Sequence, residues 1–286
     1  MKKTFFLLVA AALMISACSN NNEQPQPEGQ ATIRFEVTNY EQVSLDEVTR
    51  AAATALAHLE MAIYDASTLQ LVDSIKTKSG DSGYGSFSAS LPFGDYVVLF
   101  LGFDGSRQSI LKNIQSIGFT ESYVPNLFHK VINLTVSPSS ATSQDVTLSR
   151  AVAAFSIKSQ GYIPTNLQTL TIVATGGGYK LNGQTGWAAN VAQRTTNFNV
   201  SAYAGKESVG VSVYSFLPSE EANMNFSVTA TTSNGEVLAQ KDFSNVPMKI
   251  NQRTIYTGSL FGDGTQAQDF NLSLENDVWN DVNLEY

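Results

Sequence analysis

The chain has 286 residues, with 17 Lys+Arg against 25 Asp+Glu and a formal net charge of -8. That balance argues against a nucleic-acid binder, which would carry a basic face. Hydrophobic residues at 43% and charged residues at 15% exclude a disordered polyanion. A single cysteine rules out an intramolecular disulfide framework and a cysteine zinc site. With only two histidines, His58 and His129, no metal and no cofactor is expected.

Lys2 and Lys3 form a short basic stretch, and Phe5 to Ile15 is apolar. The apolar run is shorter than the ~20 residues of a membrane-spanning helix and has the form of an export signal. Met14-Ile15-Ser16-Ala17-Cys18 resembles a bacterial lipobox, and the chain's one cysteine stands in it. The expectation is a signal peptide over 1–17, cleavage before Cys18 and lipidation of Cys18. Several acyl chains make a lasting anchor, since each buried CH₂ contributes ~0.8 kcal/mol. Residues 18–30 continue as SNNNEQPQPEGQ after the cysteine, without a large apolar side chain. This is a flexible tether. Ser19 stands where an inner-membrane retention aspartate would be, which points to the outer membrane.

The body reads as β. Ala31-Ile33-Phe35-Val37 alternates with polar residues at the period of a half-buried strand. Asp46 to Ala62 is alanine-rich; a loop or short helix through Ala53 and then a strand from Leu56 to Asp65 is expected. Tyr96 to Phe103, between Gly94 and Gly105, is a near-continuous apolar run and reads as a central strand. In Ser106 to Phe119, Ile110, Leu111, Ile114 and Ile117 fall at helical spacing and predict one short helix. Further strands are expected at Ile132-Leu134-Val136, Ala153-Phe155-Ile157, Leu170-Ile172-Ala174, Val209-Val211-Val213, Met224-Phe226-Val228 and Phe270-Leu272-Leu274. The chain divides near Thr147 to Arg150 into blocks 31–150 and 151–286. No Pro- or Gly-rich linker separates them, so Val146 to Ile157 predicts a stiff junction. No fixed-period repeat is visible.

Little in the sequence suggests catalysis. No serine has a Gly-x-Ser-x-Gly context, and His58 reads as a partly exposed strand residue. Gly176-Gly177-Gly178 lacks the Lys-Ser/Thr of a phosphate loop and reads as a hairpin turn, and Gly262-Asp263-Gly264 reads as a turn. Trp187 follows Thr185-Gly186 in an expected loop and is the aromatic residue that could contact a glycan.

Four segments carry a family resemblance. Leu148-Ser149-Arg150-Ala151-Val152-Ala153-Ala154-Phe155 resembles the segment joining the two domains in the fimbrillin superfamily of outer-membrane lipoproteins. Leu181-Asn182-Gly183-Gln184-Thr185-Gly186 is similar to its mid-domain "LN-x-x-TG" segment. Val246 to Phe261 is similar to its late signature: a "VP", a basic-Asn stretch, then "T-x-x-x-G-x-L". Leu59 to Asp65, followed by Leu91-Pro92-Phe93-Gly94-Asp95-Tyr96, resembles its first-domain pattern.

The resemblance implies an all-β chain of two transthyretin-like β-sandwich domains in tandem, 31–150 and 151–286, after the signal peptide and tether. It implies a stalk, anchor or tip subunit of a surface fimbrium serving adhesion and biofilm formation. The expected partners are other fimbrial subunits, the outer membrane through the lipid, and ligands on host or bacterial surfaces. In such families a protease cuts after an arginine near the start of the first domain, and a strand from another subunit fills the gap left by the lost strand. Arg50, before Ala51, is the candidate cut site here. Asn271 to Tyr286 is the candidate donor, with Leu272, Leu274, Val278 and Val282 as groove fillers; it could equally be the last strand of its own domain. The alternative function is a monomeric surface lipoprotein that binds glycans through Trp187.

Overall fold

The computed structural model describes residues 29–41, 56–140, 142–262 and 270–276. The strands, in chain order, are β1 (Gln30–Glu41), β2 (His58–Asp65), β3 (Leu71–Lys78), β4 (Ser86–Pro92), β5 (Gly94–Phe103), β6 (Ser109–Ile110), β7 (Gly118–Phe119), β8 (Leu127–Val136), β9 (Ser143–Arg150), β10 (Ala153–Gln160), β11 (Thr169–Thr175), β12 (Arg194–Asn199), β13 (Ser208–Ser215), β14 (Glu221–Thr231), β15 (Val237–Lys249), β16 (Gln252–Gly258) and β17 (Phe270–Asn276). Helix among the described residues is confined to three single 3₁₀ turns. None is long or apolar enough to cross a membrane.

The first nine strands build one sandwich. Its main sheet runs β3-β2-β5-β8-β9-β1-β4. β8 and β9 meet through only two residue pairs, Phe128↔Arg150 and His129↔Ser149. The sheet folds over at this narrow seam, so β9-β1-β4 faces β3-β2-β5-β8. Ile33, Phe35, Phe87, Leu91, Val146 and Leu148 on one layer meet Met61, Ile63, Val98, Phe100, Phe128 and Val136 on the other in one buried cluster.

The second sandwich has two sheets, β13-β10-β16-β17 and β12-β11-β14-β15. Phe155 stacks on Phe226 between them, ring centroids 3.9 Å apart. The two halves share one plan. In the first, β1 lies antiparallel to β4 and parallel to β9; in the second, β10 lies antiparallel to β13 and parallel to β16. The order β3-β2-β5-β8 recurs as β12-β11-β14-β15. The sequence shows no trace of this duplication, because a pairing plan constrains alternation and turns but few identities.

β5 is buried on both faces, which explains its unbroken apolar run. Its inner face packs against the first core. Its outer face, with Leu99, Leu101 and Phe103, lies under Leu111, Ile114, Ile117, Phe119 and Val124 from the excursion between β5 and β8. The helix expected in that excursion is corrected. The chain forms the two-residue ladder β6–β7 around a single 3₁₀ turn, Ile114–Ser116, capped by the Asn113 side chain on the Gln115 N–H. Leu111, Ile114 and Ile117 do face inward, but Ile110 is exposed. Tertiary burial of a short irregular segment produced a helix-like spacing.

The glycines at 176–178 do not close a hairpin either. They open an excursion that joins β11 to β12. Gly178 exchanges backbone bonds with Phe216, 2.9 and 3.1 Å. A Cβ at Gly178 would sit 2.0 Å from the Asn190 carbonyl oxygen, so only glycine fits.

Candidate assembly site

β1 is an interior strand with a partner on each edge. Its pairing with β4 runs from Gln30↔Pro92 to Glu36↔Ser86. Its parallel pairing with β9 runs from Arg34↔Ser143 to Glu41↔Ser149, with one shift between Val37 and Asn39. Ile33 and Phe35 point inward and are fully buried, as their alternation predicts. The Phe35 ring meets Phe100 edge-on at 5.1 Å. Each such burial stabilises by roughly 1.5–3 kcal/mol. The outward face carries only polar pairs: Thr32 Oγ1 with Ser90 Oγ at 2.8 Å, and Ser86 Oγ donating to Glu36 Oε2 at 2.5 Å. Without β1, a hydrophobic slot would open between β4 and β9 with a row of unpaired backbone groups on each side.

Arg50, Ala51 and Cys18 lie outside the described residues, as do Val278 and Val282. Leu56 and Ala57 are held by hydrogen bonds that do not involve β1. The Tyr84 hydroxyl donates to the Leu56 carbonyl. The Ala57 N–H donates to Asp104 Oδ1 at 3.0 Å, and the Ser79 N–H donates to the Ala57 carbonyl at 3.0 Å. His58 is the half-buried strand residue its alternation suggests. Its ring stacks on Phe103 at 4.8 Å, with Nε2 2.9 Å from the Gly105 carbonyl.

A polar cluster that the sequence did not flag closes the excursion onto β2 and β3. Glu60 is buried, accepts a hydrogen bond from Ser109 Oγ and lies 3.6 Å from Lys76 Nζ. Lys76 also donates to the Ser109 carbonyl at 2.9 Å. Burial, and then Glu60, push the Tyr64 phenol far above its ordinary range, while its hydroxyl donates to the Leu111 carbonyl at 2.6 Å. The groups satisfy one another, so the cluster is structural. Among the described residues no group of His, Cys, Asp and Glu could hold a metal ion.

The junction is the second feature. Only Ala151 and Val152, both buried, separate β9 from β10. Arg150 lies over the Phe128 ring at 4.8 Å and donates through Nη1 to Asn251 Oδ1 at 2.9 Å. The Asn251 N–H donates to the Val152 carbonyl at 3.0 Å. Asn251 has φ 60°, a left-handed conformation that asparagine tolerates better than most residues. The "LN-x-x-TG" segment is a latch. Leu181 and Ile117 exchange two backbone bonds of 2.8 Å, and the Gly183 N–H donates to the Ile114 carbonyl at 2.7 Å. Leu181, Tyr214 and Phe216 join Leu99, Ile114 and Ile117 in one core that spans both sandwiches. Two roles in this junction carry no signal in single-sequence reading: Asn251 as the partner of Arg150, and His129 as the floor beneath Gly186.

Gly186 has φ 80°, and a Cβ there would lie 2.9 Å from the His129 ring. Gly186→Ala should therefore cost about 1–3 kcal/mol, from a strained backbone and a displaced ring. Thermal unfolding checks it, with the open-space Gly235→Ala, also at positive φ, as the control for strain alone. A loss no larger than the control's would mean the latch does not press on His129. Trp187 follows in this loop, 36% exposed, its N–H donating to Thr185 Oγ1 at 3.3 Å.

β17 pairs antiparallel with β16 of its own sandwich, from Gly258↔Phe270 to Gln252↔Asn276. Phe270 packs against the core, while Leu272 and Leu274 are 47% and 52% exposed. Within the described residues it completes its own sheet.

The profile of the fimbrillin-A associated anchor proteins Mfa1 and Mfa2 matches residues 21–285. The chain belongs to this family. The fimbrial anchor family is structural, not enzymatic, which agrees with a site built from strands and backbone pairing. Among curated proteins none matches the chain in sequence. A candidate adhesin from Bacteroides ovatus ATCC 8483 shares the fold at 14% identity and TM-score 0.51, over 80% of this chain and 88% of that one. The fimbrial anchor protein Mfa2 from Porphyromonas gingivalis aligns at 10% identity and TM-score 0.42, over 86% of this chain and 97% of that one. The C-terminally truncated tip fimbrial protein Mfa3 from the same organism aligns at 12% identity and TM-score 0.38, over 88% and 100%.

Proposed function

We propose that this anchor-family protein is a structural subunit of a bacterial surface fimbrium, held at the outer membrane through lipidated Cys18 and joined to other subunits by strand addition. The single observation that carries the assembly step is the interior position of β1. It fills a slot between β4 and β9, its inward side chains supply core, and the chain resumes at Leu56 and Ala57 on hydrogen bonds to Tyr84, Asp104 and Ser79 rather than to β1. A cut after Arg50, before Ala51, would separate β1 from everything downstream, and the emptied slot would favour an incoming strand by the same burial. The units acting in this scheme are 31–150 and 151–286, joined rigidly by Arg150 to Ala153. Adhesion and biofilm formation are the roles such a fibre would serve.

Two experiments test the parts separately. Cys18→Ala should leave the precursor unprocessed and absent from outer membranes; a variant still labelled by fatty acid and still sedimenting with them would remove the anchor reading. Brief trypsin treatment of the folded wild type should cut at Arg50 first and yield a product that oligomerises, whereas Arg50→Ala should stay monomeric. A wild type left intact at Arg50, or a trimmed product that stays monomeric, argues for an uncut anchor that accepts its partner elsewhere. The exposure of Trp187 favours a second reading, a glycan-binding surface lipoprotein; sugar binding lost in Trp187→Ala would support it.

A further inference from the structure

The strand directions assign the two ends of the molecule. β1 runs parallel to β9, so its Glu41 end lies beside Ser149 at the junction and its Gln30 end lies at the opposite end of the first sandwich. There the Phe93 N–H donates to the Gly29 carbonyl at 2.9 Å. β9 passes into β10 through two residues, and β10 runs from the junction outward to Gln160. The loops β10–β11, β12–β13 and β14–β15 therefore gather at the pole most distant from the tether.

At that pole the three loops border an open hollow of about 380 Å³. Its polar lining includes Asn166, Gln168, Ser201, Thr232, Asn234 and Glu236. No Lys or Arg lines it, so it lacks the charge-assisted donors that favour phosphate, sulfate or nucleic acid. One carboxylate is too few for a cation cage. Apolar ligands need a mostly apolar cavity, and of this lining only Leu167 and Ala204 are apolar side chains. Tyr162, on the β10–β11 loop at the same pole, is 65% exposed and offers a ring face. The Ile163 N–H donates to the Lys206 carbonyl and the Gly205 N–H to the Ile163 carbonyl, both at 2.9 Å, so the first two loops hold each other in place.

We propose that this membrane-distal hollow is a binding site for a neutral, hydroxyl-rich saccharide, contacted by Gln168, Asn234 and Glu236, with the exposed Tyr162 ring on the same loop as Gln168 within reach of a longer chain. The outward orientation rests on the tethered reading above; the chemistry of the site does not. Purified full-length protein in detergent is applied to an array of neutral gluco-, manno-, galacto-, xylo- and N-acetylglucosamine oligosaccharides. At least one should bind with Kd below about 1 mM. Gln168→Ala/Asn234→Ala should weaken that binding by about tenfold or more without lowering the melting temperature, through loss of hydrogen bonds to the sugar. Tyr162→Ala should weaken it also, and Trp187→Ala should leave it unchanged. No binding on the array overturns the proposal. So does binding that survives the double substitution, or binding lost only with Trp187→Ala. If the pole instead binds a neighbouring fimbrial subunit and no sugar, it is a subunit contact and the proposal fails. The Cys18→Ala protein should bind the same sugars, so failure of the anchor reading and failure of this one are read out separately.

Discussion

Phe35→Ala should destabilise the uncut protein by about 3–5 kcal/mol, the range for removing a fully buried aromatic side chain from a core. Phe35 lies opposite Phe87 in the β1–β4 register and edge-on to Phe100, and it has no solvent exposure. The surrounding β2, β5 and β8 are fixed by their own ladders, so the cavity will relax only in part. Thr32→Ala, on the outward face of the same strand, should cost within about 1 kcal/mol. Urea unfolding of both variants is the measurement. A Phe35 loss no larger than the Thr32 loss would show that β1 does not fill the slot, and strand addition would have no groove to act on. A destabilised β1 should also leave more readily once cut, so trimmed Phe35→Ala protein should release its strand sooner than trimmed wild type.

The second large effect is a dependence of stability on acid. Burial holds the His129 imidazole near a pKa of about 4 against an ordinary 6.5, with a Ser149 backbone bond opposing and Lys130 assisting. The ring is neutral in the folded protein at neutral pH, while the unfolded chain takes up a proton near pH 6.5. A lowered basic group contributes stability that is complete above 6.5 and is lost as pH falls towards 4. At about 1.4 kcal/mol per pH unit the interval corresponds to about 3 kcal/mol. Guanidinium unfolding followed from pH 7 to pH 4 should show this slope, and His129→Gln should flatten it. An unchanged slope in the variant would place the acid sensitivity elsewhere. Asp65 acts in a different window. Hydrogen bonds from Ser67 and Thr68 hold its carboxyl down to about 2, so its contribution fades only in stronger acid.

Much of the fold was legible because most strands bury one face. Ile33 and Phe35, Leu170 and Ile172, and Val209, Val211 and Val213 alternate in sequence as they alternate in burial. Tyr96 to Phe103 was legible for the opposite reason, since both faces of β5 are covered. The excursion at 104–126 was not, because Leu111, Ile114 and Ile117 reach the core from irregular backbone that fixes no period. The glycines at 176–178 misled because the demand on Gly178 comes from Asn190, twelve residues on, rather than from a local turn. Of the assembly site, the β1 alternation was visible in sequence. Its position between β4 and β9 was not, since pairing partners 50 to 62 and 108 to 109 residues away leave no local mark. The Arg150–Asn251 bond was hidden for the same reason.

The duplicated pairing plan bears on what kind of polymer such a subunit could make. β10 occupies in the second sandwich the place that β1 occupies in the first. Yet β10 is covalently continuous with β9 through Ala151 and Val152, and both residues are buried beyond a protease's reach. Under the proposed cut at Arg50, the first copy of the plan would surrender its strand, while the second has no exposed connection at which to be cut. In the language of chain growth, the proposal makes the subunit a monomer with a single socket, and a head-to-tail contact through one socket gives a linear chain without branches or cross-links.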